Sequence, residues 1–77
     1  MKLCDINLGD KSYVTYISPE LEIARRLLDI GVIPGTKIEC VLFSPMGNPK
    51  AYMIRGAVIA IRNEDAYGIS IELVKER

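Results

Sequence analysis

Residues 26–49 read RLLDIGVIPGTKIECVLFSPMGNP, and they constrain the backbone more tightly than any other part of this chain. Gly31 suits the left-handed position just after a helix, and Pro34-Gly35 suits the two central positions of a type II turn. The prolines and the glycine of residues 44–49 prevent regular structure between two strands. The stretch therefore predicts a helix, a turn, a strand, a loop and a second strand, in that order.

The sequence on either side of this stretch adds further strands and the start of the helix. Ser18 suits a helix N-cap and Pro19 suits the first helical position, so the helix is predicted to begin there and to run to about Ile30. Gly56 interrupts an apolar run and marks a bulge, bend or turn. A helical turn is expected at residues 63–66. The β-branched, aromatic and alternating segments predict five strands at residues 11–17, 37–43, 51–55, 57–62 and 68–74.

This arrangement predicts a mainly β fold, a small SH3-like five-stranded β-barrel with one α-helix inserted between strands 1 and 2. Such a short sheet protects its edges best by closing or nearly closing. In the second strand, Ile38, Cys40 and Leu42 are expected to share one face. The chain has no repeat and no linker, so residues 1–77 are predicted to form a single domain.

Composition excludes several classes of function. The chain has 77 residues, 49% of them hydrophobic and 26% charged, which is a globular balance. Its formal net charge of zero argues against binding to nucleic acid or anionic lipid. The longest apolar run, Ala57–Ile61, is far shorter than the roughly 20 residues of a membrane helix. Because no signal peptide is visible, the chain is expected to be cytoplasmic and not inserted in the membrane.

The residues for catalysis or tight metal binding are also missing. The chain contains no histidine, and its glycines do not form a phosphate-binding loop. Cys4 and Cys40 lie too far apart in sequence for a known metal-binding spacing, and they are expected to be reduced, with Cys40 in the core. We therefore predict a protein that is not an enzyme and that has no cofactor and no dedicated metal site.

The predicted helix carries more apolar residues than one packed face needs. Leu21, Ala24 and Leu28 lie on one side of a wide apolar arc, and the edge continues through Ile23, Leu27 and Ile30. If that edge is exposed it forms a protein-docking surface, whereas a small barrel could also cover the entire arc. We favour docking slightly. Arg25–Asp29 and Glu22–Arg26 have the spacing of exposed ion pairs, so the basic residues are interpreted as a solvated face.

Several motifs together resemble the ferrous iron transport protein A (FeoA) family, whose pattern reads roughly R-L-x-x-L-G-x-x-P-G, then A-P-x-G-D-P, then R-G and L-R. The resemblance covers nearly the whole chain. The sequence departs from the family pattern at Ser44, Met46 and Asn48, where the family commonly has Ala, Leu and Asp. The positions that carry the resemblance are Arg26-Leu27, Leu28, Gly31, Pro34-Gly35, Pro45, Gly47, Pro49, Arg55-Gly56, Ile61-Arg62 and Ala66.

The resemblance implies a small cytosolic accessory protein of ferrous iron transport that binds and modulates the membrane transporter FeoB through its cytosolic GTP-binding region. The alternative is a detached metal-responsive regulatory domain, similar to the C-terminal domain of regulators of the diphtheria toxin repressor type. Gly31, Pro34, Gly35 and Gly56 are assigned to structural turns. The predicted partner-binding residues are those of the helix edge and of the following loop: Ile23, Leu27, Ile30, Pro45, Met46, Gly47, Asn48 and Pro49.

Overall fold

A computed structural model describes residues 1–74 of the chain. It confirms a mainly β fold with five antiparallel strands. The first two strands have the predicted bounds, and the other three differ by one residue at one or both ends. The elements are a 3-10 turn at Leu3–Asp5, β1 at Lys11–Ile17, α1 at Ala24–Asp29, β2 at Lys37–Phe43, β3 at Lys50–Ile54, β4 at Ala57–Ile61, α2 at Asn63–Ala66 and β5 at Ile69–Leu73.

The strands form one sheet in the order β4-β3-β2-β1-β5. Full closure of the barrel does not occur in residues 1–74, because β4 and β5 lie at opposite edges of the sheet and do not pair. The sheet still curves, since the register shifts once between β1 and β5 and once between β2 and β3. The edge formed by β5 is partly covered by an isolated bridge from Lys2 to Ser70.

The helix is shorter than the sequence predicts. It begins at Ala24 and not after Ser18, and its N-cap residue, Ile23, makes no capping side-chain hydrogen bond. The Ser18 hydroxyl instead accepts a hydrogen bond from the Glu20 N–H at 3.4 Å. Tertiary packing accounts for the difference, because Leu21 lies over Gly68 so closely that a Cβ there would come within 2.7 Å of a Leu21 methyl carbon. The preceding segment follows turns to bring Leu21 to that position.

The helix ends as predicted, at Gly31. The N–H of Gly31 donates to the carbonyl of Leu28, and the N–H of Val32 donates to the carbonyl of Leu27, both at 2.9 Å. This pair of bonds defines a Schellman motif, and Gly31 has the positive φ, 91°, that the motif requires. The motif directs the chain back so that Leu27 and Val32 are both buried. The end of the helix is therefore fixed by backbone bonds and by an apolar contact together.

The Pro34-Gly35 turn is also confirmed. The Thr36 N–H donates to the Ile33 carbonyl at 2.9 Å, and Gly35, at the third position of the turn, has a φ of 97°. Gly56 lies in the two-residue turn that joins β3 to β4, since Ile54 pairs with Ala57 across it. The turn residues predicted from the sequence are therefore correct.

The prediction that Leu42 shares the buried face of β2 is wrong. Cys40 pairs with Tyr52 and Leu42 with Ala51, so β2 contains one more residue than β3 at this point. The extra residue, Val41, forms a bulge that rotates the following side chains, and Leu42 is 61% exposed. Cys40, before the bulge, is buried as predicted.

The core lies inside the curved sheet and receives side chains from the 3-10 turn, α1 and α2, including Leu27, which has no exposed surface. The slight preference for Leu27 as a docking residue is therefore wrong, and Leu28, on the side of the arc that was expected to anchor the helix, is 59% exposed. The cysteine thiols are free. No helix in residues 1–74 is long and apolar enough to cross a membrane. The buried hydrophobic residues are Leu3, Ile6, Val14, Leu27, Val32, Ile38, Cys40, Ala51, Tyr52, Ile54, Ile61, Ala66, Ile69 and Ile71.

Candidate protein-docking groove

An open groove of about 350 Å³ lies between α1 and the end of β4. We call it the α1–β4 groove. Its volume is near the lower end of the range of small-molecule pockets, about 300–1,000 Å³. The residues that line it come from α1, from the end of the loop before β3, from β4 and from α2: Ile23, Arg26, Pro49, Ala60, Ile61, Arg62 and Asp65.

Two arginines give the α1–β4 groove its charge. Arg26 lies on α1, three residues after its N-cap residue Ile23, and both residues line the groove. Arg62 follows the last residue of β4 directly. Both arginines are exposed, and neither forms a salt bridge within residues 1–74. Asp65 is the only acidic residue in the lining, so the groove presents two cations and one carboxylate.

The two neighbouring arginines of α1 differ, because Arg25 forms an ion pair and Arg26 forms none within residues 1–74. Arg25 and Asp29 lie 4.0 Å apart, as predicted, on an exposed face. The predicted Glu22–Arg26 pair is absent from residues 1–74, because Glu22 precedes the first residue of α1 and is not one helical turn from Arg26. Arg26 therefore keeps its guanidinium available to a ligand, while Arg25 is engaged elsewhere.

The loop of residues 44–49 is fastened to the start of α2 and so positions Pro49 on the groove. The Asn63 N–H donates to the Asn48 side-chain oxygen at 3.0 Å, and the Asn63 side chain donates to the Gly47 carbonyl at 3.2 Å. The first of these bonds satisfies an N-terminal N–H of α2, where Arg62 provides no side-chain cap. Asn48 thus acts as a cap from another part of the chain.

Asn48 also holds the side chain of Glu64. Its amide donates to a Glu64 carboxylate oxygen at 2.9 Å. This hydrogen bond is the main cause that lowers the pKa of Glu64, and the positive charge of Arg62 contributes. The bond favours the ionised carboxylate of Glu64 and directs it toward the loop.

Only two of the eight predicted partner-binding residues line the groove, namely Ile23 and Pro49. Leu27 is excluded by burial. Ile30, at the end of α1, is 38% exposed but lies outside the groove lining. Met46 projects from the loop and is 89% exposed, the largest exposed fraction among the large hydrophobic side chains of residues 1–74. A role of these residues in partner binding stays a prediction.

The sequence interpretation assigned Arg26 and Arg62 to a solvated face and did not predict that they line one groove. The available signal was their place in the R-L-x-x-L-G and L-R motifs. Arg55, in the R-G motif, differs from these two arginines, because its side chain lies against Gly31. A Cβ on Gly31 would meet the Arg55 Nε at 2.9 Å, so the glycine permits this close contact.

Within residues 1–74, no group of three His, Cys, Asp or Glu side chains is arranged to hold a metal ion.

A family model and a curated relative identify the family of this chain. The FeoA domain family model matches residues 1–73. A curated relative, the Fe(2+) transport protein A/Fe(2+) transporter FeoB fusion protein of Porphyromonas gingivalis, is 28% identical over 74 residues. That match covers 96% of this chain and 9% of the relative, so the chain spans less than a tenth of that protein.

Solved structures agree with the family match. The FeoA protein of Chlorobium tepidum is 32% identical with a TM-score of 0.90, and the match covers 97% of this chain and 71% of that one. The FeoA-like protein of Clostridium acetobutylicum is 31% identical with a TM-score of 0.88, covering 100% and 90%.

More distant structures show the fold alone. The zinc-complexed FeoA of Stenotrophomonas maltophilia, described as a prokaryotic SH3 domain protein, is 24% identical with a TM-score of 0.80, and the match covers 94% of this chain and 89% of that one. The IdeR of T. acidophilum is 20% identical with the same score, covering 96% and 34%. The predicted SH3-like fold class is thereby confirmed.

Proposed function

Because this chain belongs to the FeoA domain family of ferrous iron transport, we propose that it is an accessory binding module that docks onto the cytosolic GTP-binding region of an FeoB-type transporter. We place the docking site in the α1–β4 groove. The fusion of an FeoA part to an FeoB part in the Porphyromonas gingivalis relative supports this choice of partner, because a fusion keeps its two parts in contact range.

The observation that carries the proposal is the convergence of three separated motifs on one surface. Arg26 comes from the helix motif, Pro49 from the loop motif and Arg62 from the L-R motif, and all three line the α1–β4 groove. None of the three belongs to the buried core. Packing alone therefore does not account for their meeting, whereas a shared ligand would.

The chemistry of the groove defines what fits it. Ile23, Pro49 and Ala60 supply an apolar surface, and the two guanidinium groups supply hydrogen-bond donors for a carboxylate. Arginine is enriched at protein interfaces, and the buried centre of an interface is more apolar than the rest of the surface. We expect a partner segment with an acidic residue next to an apolar one.

The alternative function, a metal-responsive regulatory domain, rests only on likeness of fold to regulators such as the T. acidophilum IdeR. No feature of the groove favours it over docking, so we do not develop it as a second proposal. Titration with ferrous iron provides its test.

The experiment that tests the proposal is a binding titration against the purified GTP-binding domain of the FeoB-type transporter from the same organism. Arg26→Glu replaces a cation of the groove with an anion and should weaken binding by at least roughly tenfold, because like charges then oppose each other. Arg25→Glu is the matched control, since it makes the same change one residue away, at a side chain that is 87% exposed. We expect it to bind as the wild type does.

The two variants also give the contradicting results. If Arg26→Glu binds as tightly as the wild type, the α1–β4 groove is not the docking site. If the wild-type chain does not bind the domain in either the GTP-loaded or the GDP-loaded state, the proposed partner is wrong. Thermal unfolding of each variant shows that a loss of binding is not a loss of folding.

A further inference from the structure

The strand β4 forms an edge of the sheet that lacks the usual protection. Its five residues are Ala, Val, Ile, Ala and Ile, with no charged residue and no proline. Val58 is 59% exposed, and Ala60 is exposed as well. Natural proteins generally protect edge strands with charges, prolines, bulges or covering segments, because an open edge can pair with another chain.

The backbone groups that point outward from this edge can be identified. Ile54 and Ala57 flank the two-residue turn between β3 and β4, so they form the first hydrogen-bonded pair of the ladder. Alternation then directs the N–H and C=O groups of Ala57, Ile59 and Ile61 toward β3. Those of Val58 and Ala60 point away from the sheet, and no other segment of residues 1–74 forms a backbone hydrogen bond with them.

The opposite edge of the sheet is treated differently. On β5, the Ile71 N–H donates to the Met1 carbonyl at 2.8 Å, and Lys2 bridges to Ser70. The N-terminal segment thus covers part of that edge, which also carries the charged residue Glu72. Within residues 1–74, the β5 edge is therefore partly covered, whereas the β4 edge is open.

We propose that β4 receives an extended segment of a partner protein as a sixth strand, and that an acidic side chain of this segment reaches Arg26 or Arg62 in the α1–β4 groove. The edge and the groove are continuous, because Ala60 and Ile61 belong to both. Hydrogen bonds to Val58 and Ala60 hold the main chain of the segment, and the groove selects its side chains.

Charge selects the occupant. Arg62 follows β4 and Arg55 precedes it by two residues, while β4 itself is uncharged. If a second copy of this chain paired antiparallel about Ile59, each Arg62 would lie opposite Gly56 of the other copy, close to its Arg55. Cations would meet at both ends of the added pair, which is unfavourable. An acidic segment of a different protein avoids this repulsion.

This inference deepens the proposed function and rests on it for the identity of the partner, but the mode of binding has its own test. Ala60→Pro removes the outward N–H of Ala60, and an edge strand accepts proline where the N–H faces solvent. Ala60→Ser keeps that N–H and is the matched control. In the titration with the transporter's GTP-binding domain, Ala60→Pro should bind at least roughly tenfold more weakly than Ala60→Ser.

A synthetic peptide tests the edge without the transporter. The probe is a short peptide of alternating threonine and valine that ends in two glutamates. Its controls are the same peptide ending in two lysines and a version with an N-methyl group on every backbone amide, which leaves no edge of the peptide able to pair with a strand. We expect the acidic probe to slow hydrogen exchange at the Val58 and Ala60 amides, while both control peptides bind at least roughly tenfold more weakly.

The outcomes separate the two proposals. If Ala60→Pro stays folded and binds the transporter domain as Ala60→Ser does, strand addition is refuted while docking in the groove stands. If the transporter domain does not bind but the acidic peptide protects both amides, the partner is wrong and the strand-binding edge stands. If the N-methylated peptide binds as well as the acidic probe, the edge is not the site. Protection of both amides with rising concentration of the protein alone would identify a second copy as the occupant and refute the inference.

Discussion

Replacing Leu27 with alanine tests whether α1 packs as the structure places it. Leu27 has no exposed surface, so the substitution removes three buried carbons, a transfer loss of about 2.4 kcal/mol at about 0.8 kcal/mol for each. The cavity left behind adds to this, and buried leucine-to-alanine changes typically cost about 2–5 kcal/mol. We therefore expect a loss of about 2.5–5 kcal/mol in the free energy of unfolding.

The expected loss is large for this chain. Native domains are stable by about 0.05–0.15 kcal/mol per residue, which gives about 4–12 kcal/mol for this length. Leu28→Ala is the matched control, because the same change is made at the next residue of α1, where the side chain is 59% exposed. Its cost should stay below about 1 kcal/mol, since the change in helix propensity is the same and little burial is lost.

The assay is urea unfolding followed by circular dichroism. Both variants are compared with the wild type by their unfolding midpoints, provided that the unfolding free energy depends equally steeply on urea concentration in all three proteins. Leu27→Ala should shift the midpoint strongly and Leu28→Ala only slightly. The reasoning is refuted if the two variants lose similar stability, or if Leu28→Ala loses more, because α1 would then present the other face to the core.

Three further results are expected. Gly35→Val should lower the free energy of unfolding by about 1–3 kcal/mol, because a β-branched residue fits poorly at a φ of 97°, and an unchanged melting temperature would contradict the turn assignment. Asn48→Asp should raise the pKa of Glu64, measured by NMR, because the amide donor is lost. In the wild type, the lowered pKa of Glu64 contributes stability that is present above the ordinary Glu pKa of 4.5 and is lost as the pH falls through the pKa of the folded state. An unchanged Glu64 pKa in the variant would exclude that hydrogen bond. Treatment with a metal chelator should leave the circular dichroism spectrum and the melting temperature unchanged, since residues 1–74 gather no metal-ligand cluster, and a large loss of structure would reveal a structural metal.

The turns and most strands followed from local chemistry and were therefore accessible from sequence. Gly31 and Gly35 occupy positions with positive φ, where glycine is preferred, and their residue type alone indicated both turns. The alternation of apolar and polar residues in the first part of β2 and in β5 likewise reports burial directly. These features depend on a few neighbouring residues, and no distant contact overrides them.

The errors arose where distant contacts override local preference. The Ser18-Pro19 pair favours a helix start, but the packing of Leu21 on Gly68 holds that segment in turns. In the folded chain, Leu27 and not Leu28 faces the core. The bulge at Val41 depends on the register between β2 and β3, which the sequence of β2 alone does not report.

The candidate site was accessible only in part. The loop of residues 44–49 and Ile23 were selected from sequence, whereas Arg26 and Arg62 were not, because exposed arginines on separate elements give no sign that they will meet. The folded chain brings them to one groove. The role of Asn48 as a cap for α2 also requires the tertiary structure, since Asn48 and Asn63 are far apart in sequence.

The most direct test of the docking account is an NMR titration of the isotope-labelled chain with the unlabelled GTP-binding domain of the transporter. The account predicts that the largest changes in chemical shift fall on the α1–β4 groove and the adjacent edge, at Ile23, Arg26, Ala60 and Arg62, and that Tyr13 and Glu72 on the far strands change little. Changes concentrated at Tyr13 and Glu72, or no change at saturating concentrations of the domain, would contradict it.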